Sequence, residues 1–379
     1  MLKVRIEAIV PGMILGKSIY SATGNILLAA GKVLDERYIR RLLEFGIPAI
    51  FIKDSRFNDI EQPPEVVSEL TRIQSQSEVK KAFDQIELRG KINLGASRVI
   101  VNKLLEEILA NRHVLVSLND IRKYDEEVFG HSVSVCILSV VIGLKLNYDQ
   151  LQLRDLGIGS LLHDLGKACI NKTILNKQQQ LTPQEFTGIK EHSLLGFEIL
   201  RKREEIDILS ANVALQHHEK FNGSGYPRGL KGTEIHEYAR ITAIADVYDA
   251  MTSDRIYRPA YDPMTALQIL QESSGSHLDL NIVNLFIKTV SLYPVGSIVV
   301  LSSGEVGVVV ISRIEASERP VVRIILDSHR NQLDRLYEID LNINKEYAII
   351  RLLNEYTESL PPISQIGRRI IGTEKGFFH

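Results

Sequence analysis

Residues 154–167 read RDLGIGSLLHDLGK, and this stretch decides the fold. Leu161, Leu162 and Leu165 follow Ile158 at the spacing of one face of an α-helix. Into that apolar run the chain sets His163 and Asp164. A carboxylate left unpaired among such neighbours costs several kcal/mol, because its lost hydration is not replaced. Metal coordination is the usual compensation where histidines and aspartates cluster.

The same helical period recurs on both sides. VNKLLEEILA (101–110), SVSVCILSVVIGLKL (132–146), HSLLGFEILRKR (192–203), NVALQHHEK (212–220), RITAIADVYDAM (240–251) and MTALQILQES (264–273) each carry apolar residues at i, i+3 and i+4. Seven or more such helices joined by polar or glycine-containing loops define an all-α bundle between about residues 65 and 290. The uncharged run from Ser132 to Leu144 is too short to span about 30 Å of hydrocarbon and reads as a buried core helix.

Within the bundle the candidate metal ligands come in order. Glu127 and His131 share a helical face; His163-Asp164, His192, His217-His218 and Asp246 follow, spaced by about one helical hairpin each. Each set therefore enters from its own helix. A lone histidine on an apolar face is usually a hydrogen-bonded core residue, but an ordered series on successive helices of one bundle is a different signal. Mixed imidazole and carboxylate donors suit Fe, Mn or Zn rather than Ca or Mg, and two ions can clamp the attacking and leaving oxygens of a phosphoryl group.

The bulk composition fits this picture. Of the 379 residues, 44% are hydrophobic and 24% charged, with a formal net charge of −2. No basic excess argues for direct nucleic-acid binding, so a phosphate-bearing ligand has to meet a local cluster of cations. Two cysteines are too few for a disulfide framework, and the start, MLKVRIEAIVPG, has no long apolar segment of a secretory signal. Together these point to a cytoplasmic protein without a membrane span.

Around the bundle the character changes. Residues 1–58 hold short β-branched runs, one helix from Asp35 to Glu44 and a strand at 49–52, a small α+β or barrel-like module. Residues 59–109 read as a linker and connecting helices, with Pro63 and Pro64 starting a helix. Residues 294–353 alternate β-branched and polar residues around turns, a small all-β module, and 354–379 form a polar tail. The fold class is thus multidomain, a central helical bundle flanked by two small β-rich modules. The flanks and the helix near 65–89 offer surfaces for a homodimer or for regulatory protein partners.

HDLGK, the downstream HH, the GYP of NGSGYP and ADVYDAMTSDRIYR together resemble an HD-GYP domain, the bacterial branch of the HD metal-dependent phosphohydrolases that hydrolyses cyclic di-GMP. The resemblance covers about residues 110–290. It implies a helical bundle with two or three divalent transition-metal ions, commonly Fe or Mn. Carried over, the metal set is His131, His163, Asp164, His192, His217, His218 and Asp246, with Glu127 the extra carboxylate of three-metal members. Gly225, Tyr226 and Pro227 shape a loop over the site that is also open to regulatory partners, and Tyr226 offers a ring and a hydroxyl to the ligand. Lys167, one helical turn after His163, is placed to bind phosphate or protonate a leaving oxygen, and Asp125 to take part in proton transfer. Arg255 and Arg258 hold ligand phosphates, Arg258 standing where lysine is commoner. Asp249 and Asp254 read as structural, pairing with arginines or capping the next segment. The implied chemistry is attack by a metal-activated hydroxide, giving pGpG and, after a second cut, GMP. A non-enzymatic cyclic di-GMP regulator would show a missing ligand, and none is missing; an HD hydrolase of another nucleotide or cyclic dinucleotide stays open.

Overall fold

A computed structural model of the protein describes residues 1–21, 23–47, 49–57, 59–60, 65–89, 94–111, 116–117, 127–175, 177, 179–253, 261, 263–313 and 318–353. The chain divides into two compact units, residues 65–290 and the segments on either side of them.

The flanking segments build one unit. Its strands are β1 (Leu2–Arg5), β2 (Ile14–Leu15), β3 (Ile19–Tyr20), β4 (Ile26–Leu28) and β5 (Ala49–Lys53), with one helix, α1 (Glu36–Glu44). β5 lies between β1 and β2 and pairs antiparallel with both, while β3 and β4 form a hairpin. α1 begins where the Asp35 carboxylate accepts the Tyr38 N–H. Residues beyond the helical unit add β6 (Ile298–Leu301), β7 (Val306–Ile311), β8 (Val321–Leu326), β9 (Gln332–Asp340) and β10 (Ile349–Leu353). These form one antiparallel sheet in the order β9-β8-β7-β6-β10.

The sequence predicts two separate flanking modules, residues 1–58 and 294–353. In the structure Val4, Leu15, Ile50 and Ile52 share a single core with Ile298, Val308 and Leu326. The reason is size: neither piece carries enough apolar surface to close a core alone. Arg323 on β8 ties them further, donating through both terminal nitrogens to the Asp59 carboxylate at 2.8 and 2.6 Å and to the Arg56 carbonyl at 2.8 Å.

The helical unit contains α2 (Glu69–Arg89), α3 (Leu94–Ala110), α4 (Glu127–Lys145), α5 (Gln150–Leu161), α6 (Lys172–Leu175), α7 (Pro183–Leu200), α8 (Ile208–Gln216), α9 (Glu237–Thr252), α10 (Pro263–Ser273) and α11 (Leu280–Thr289). α2 starts at Glu69, where the Ser68 hydroxyl accepts the Thr71 N–H and caps the helix; Pro63 and Pro64, predicted to start a helix, lie outside the described residues. Its apolar stripe of Val79, Ala82, Phe83 and Ile86 is buried within the unit and is not available to a second chain. α4 is the expected core helix, buried without a break from Ser132 to Gly143. Among the described residues no helix is long and apolar enough to cross a membrane.

Two glycines set how closely the site-bearing segments meet. A Cβ on Gly159 of α5 would lie 2.7 Å from Val213 Cγ2 and 2.8 Å from the Ser210 carbonyl of α8. A Cβ on Gly166 would lie 1.9 Å from the His192 carbonyl of α7. Only hydrogen fits at either place. α5 itself ends at Leu161, and Leu165–Cys169 tightens into a 3-10 helix. Apolar periodicity alone predicts a helix that runs through Lys167. The tighter turn instead places Lys167 over Asp164.

Candidate metal centre

Asp164, only 2% exposed, sits in the turn between α5 and the 3-10 helix. Three imidazoles are oriented around it by their own backbones. His163 Nδ1 lies 2.8 Å from the Ser160 carbonyl, His192 Nδ1 2.6 Å from that of Ile189, and His217 Nδ1 2.9 Å from that of Ala214. A carbonyl only accepts, so each Nδ1 carries the proton and each Nε2 presents a lone pair. Those lone pairs converge: Nε2 of His163, His192 and His217 stand 3.4, 3.5 and 3.8 Å from the Asp164 carboxylate. His192 and His217 also face each other Nε2 to Nε2 at 3.3 Å.

Lone pairs gathered around an anion repel unless a cation lies among them. His163 Nε2 and Asp164 Oδ1 are buried and, among the described residues, have no hydrogen-bond partner. Burial together with neighbouring His218 and His163 drives His217 well below the ordinary imidazole range, and burial lowers His192 as well. His218, with its ring centroid 4.0 Å from that of His217, is pushed down to about 4, chiefly by burial. This is a donor set for a metal ion, with neutral imidazoles ready to coordinate.

The other side of Asp164 is richer in carboxylate. His131 on α4 places Nε2 3.1 Å from Asp246 Oδ1 and 4.0 Å from Asp164 Oδ2, while its Nδ1 lies 2.7 Å from Asp249 Oδ2. Burial works against a charge on His131, but the bonds to Asp246 and Asp249 outweigh it and raise the imidazolium to about 10. Asp246 is held far below the usual carboxylate range, its burial more than offset by His131. Asp164 is likewise lowered despite burial, chiefly by Lys167, whose Nζ lies 2.5 Å from Oδ2. Among the described residues two groups can each hold an ion: Asp164 with His192, His217 and His218, and Asp164 with His131 and His163. Asp164 belongs to both, as a carboxylate bridging two ions would.

The predicted set therefore comes together from α4, the turn after α5, α7, the end of α8 and α9. Glu127 is the first residue of α4, but its side chain lies outside the described residues, as do Asp125, Asp254, Arg255 and Arg258 altogether. The sequence predicts a structural Asp249 that pairs with arginine or caps the next segment; among the described residues its carboxylate meets His131 Nδ1 at 2.7 Å, because Asp249 lies one helical turn after Asp246 and shares its face. That i+3 spacing was the available signal.

The loop after His218 closes over one side. Tyr226 N donates to the His218 carbonyl at 3.2 Å, and the two rings lie 4.8 Å apart at 31°. Lys190 Nζ lies over the Tyr226 ring at 5.2 Å, a cation that sequence reading did not single out. Gly225 packs so tightly that a Cβ would meet Lys220 N at 2.2 Å, and Tyr226–Pro227 is a cis peptide.

Residues 103–282 match the HD domain family, and residues 298–359 match the KOW domain associated with the HD domain. Residues 103–282 thus form an HD domain, and it carries the motif set that resembles the HD-GYP branch. It is 37% identical over 210 residues to a cyclic di-GMP phosphodiesterase of Pseudomonas aeruginosa, which covers 55% of this chain and 50% of that one. To a cyclic di-GMP phosphodiesterase of Thermotoga maritima it is 38% identical over 177 residues, 46% of this chain and 48% of that one. To the 3′3′-cGAMP-specific phosphodiesterase 3 of Vibrio cholerae it is 34% identical over 168 residues, 44% and 36% of the two chains. The chain thus spans about half the length, or less, of these curated relatives.

Proposed function

We propose that the protein hydrolyses the phosphodiester bonds of cyclic di-GMP at this centre, giving linear pGpG and, with a second cut, GMP. One observation carries the reading: three buried imidazole lone pairs converge on a buried carboxylate that, among the described residues, has an unpartnered oxygen. The activities of the Pseudomonas and Thermotoga relatives support the choice of substrate.

His163, Asp164, His192, His217, His218, His131 and Asp246, with Glu127 as an eighth donor, would hold two or three ions, Fe or Mn by the mixture of donors. Bound there, the ions supply the Lewis acidity that activates water and neutralises phosphoryl charge. The chain's own residues do the rest. Backbone carbonyls fix each imidazole in its coordinating tautomer, and Asp249 does so for His131. Lys167, held against Asp164, stands beside the reacting phosphoryl group and protonates the departing 3′ oxygen. Tyr226 closes the nucleotide side, Gly225 and Pro227 shape its loop, and Arg255 and Arg258 take the ligand phosphates. Asp125 assists proton transfer.

A second reading, hydrolysis of 3′3′-cGAMP, is favoured by the Vibrio relative. The test assays both dinucleotides with protein loaded anaerobically with Fe or Mn. His163→Ala/Asp164→Ala is expected to lose bound metal and at least about a thousandfold in turnover while keeping its helicity. Turnover of cyclic di-GMP by that variant at the parental rate would refute the site; cleavage of cGAMP alone by the parent would move the substrate.

A further inference from the structure

Glu219 follows the two histidines, is 4% exposed, and has no part in the chemistry above. Burying a carboxylate needs compensation, and among the described residues no ion pair supplies it. Two backbone groups do: Oε1 accepts the Arg228 N–H at 2.7 Å and Oε2 accepts the Leu230 N–H at 3.0 Å. The carboxylate thus clasps the far limb of the loop whose near limb begins at Glu219 itself.

The rest of the loop is drawn together around that clasp. Gly225 lies against the Glu219–Lys220 backbone with no space for a Cβ. Asn222 bridges Lys231, and Gly232 N donates to the Phe221 carbonyl at 2.9 Å. Tyr226, between the two limbs, is left with its ring on His218 and its N–H on the His218 carbonyl.

We infer that Glu219 is a positioning residue: by bonding Arg228 and Leu230 it holds Tyr226 against His218 and so sets the nucleotide-facing wall of the site. A carboxylate is required because two N–H donors converge on two oxygens. The amide of Gln offers one acceptor, and its NH2 would oppose the second donor. This inference rests on the function proposed above.

The test compares Glu219→Gln, Tyr226→Ala and the double variant in the metal-loaded protein with cyclic di-GMP. Losing one charge-assisted bond should raise KM about tenfold in Glu219→Gln and change kcat by less than about twofold. Metal content should equal the parent's. The double variant should be no worse than Tyr226→Ala alone, since the clasp acts through that ring. Effects that multiply in full, a KM within about twofold of the parent's, or loss of metal would each overturn the inference. Should Glu219→Gln fail to fold, amide exchange in the parent decides: segment 226–230 must be protected beyond the exposed Ser224, and equal exchange refutes the clasp. Parental turnover is measured alongside. Its absence refutes the proposed function, whereas its presence with an indifferent Glu219→Gln refutes the clasp alone.

Discussion

The two halves of the metal centre use the same side chain in opposite charge states. Around His192, His217 and His218, burial strips the imidazoles of a second proton and leaves lone pairs facing one another. Around His131, two carboxylates hold that proton in place. Asp164 belongs to both halves. The difference lies in what a cation meets on arrival. In the histidine half it meets imidazole lone pairs that converge on Asp164; in the carboxylate half it must also displace the proton of His131.

The sharpest way to break this comparison is His217→Ala. It should empty the histidine half and leave the other loaded, lowering metal content by about one ion per chain and turnover about a thousandfold. Elemental analysis beside a rate assay reads both, and loss of every ion would show that the halves are not separable. Asp249→Asn acts on the other half and more gently. With the tautomer of His131 no longer fixed, metal affinity there should fall between about tenfold and a hundredfold, while the His192 half keeps its affinity.

The smallest effect is a count of protons. His131 is raised from 6.5 to about 10, so at neutral pH the metal-free protein carries its proton, and uptake there should release about one. His218, lowered to about 4, has none to give. An indicator dye in weak buffer reads the release, which should fade above a pH of about 10. The sign for stability agrees. The contribution of His131 to the metal-free fold is fully present below 6.5 and is lost as pH rises through about 10. Release from both halves at neutral pH would erase the distinction.

Much of this centre was legible because its signals are local. Helical periodicity gave α4 and α5, and apolar neighbours made His163 and Asp164 anomalous before any partner was known. What escaped depends on contacts distant in sequence or on backbone detail. No local pattern announces that Val4 will lie in one core with Leu326. The 3-10 turn that puts Lys167 on Asp164 follows from the crowding of Gly166 against His192 on another helix. Asp249 differs, since its spacing from Asp246 is visible in the sequence while its contact with His131 is not.

The shared core of the flanks has a consequence for biosynthesis. Strands β1 to β5 leave the ribosome long before β6 to β10, yet the two sets share one core. The helical unit, encoded between them, is complete while those first strands still wait. Chains stalled or truncated before residue 298 would therefore lack part of the cover over Val4, Leu15 and Ile52, a ready target for chaperones and proteases.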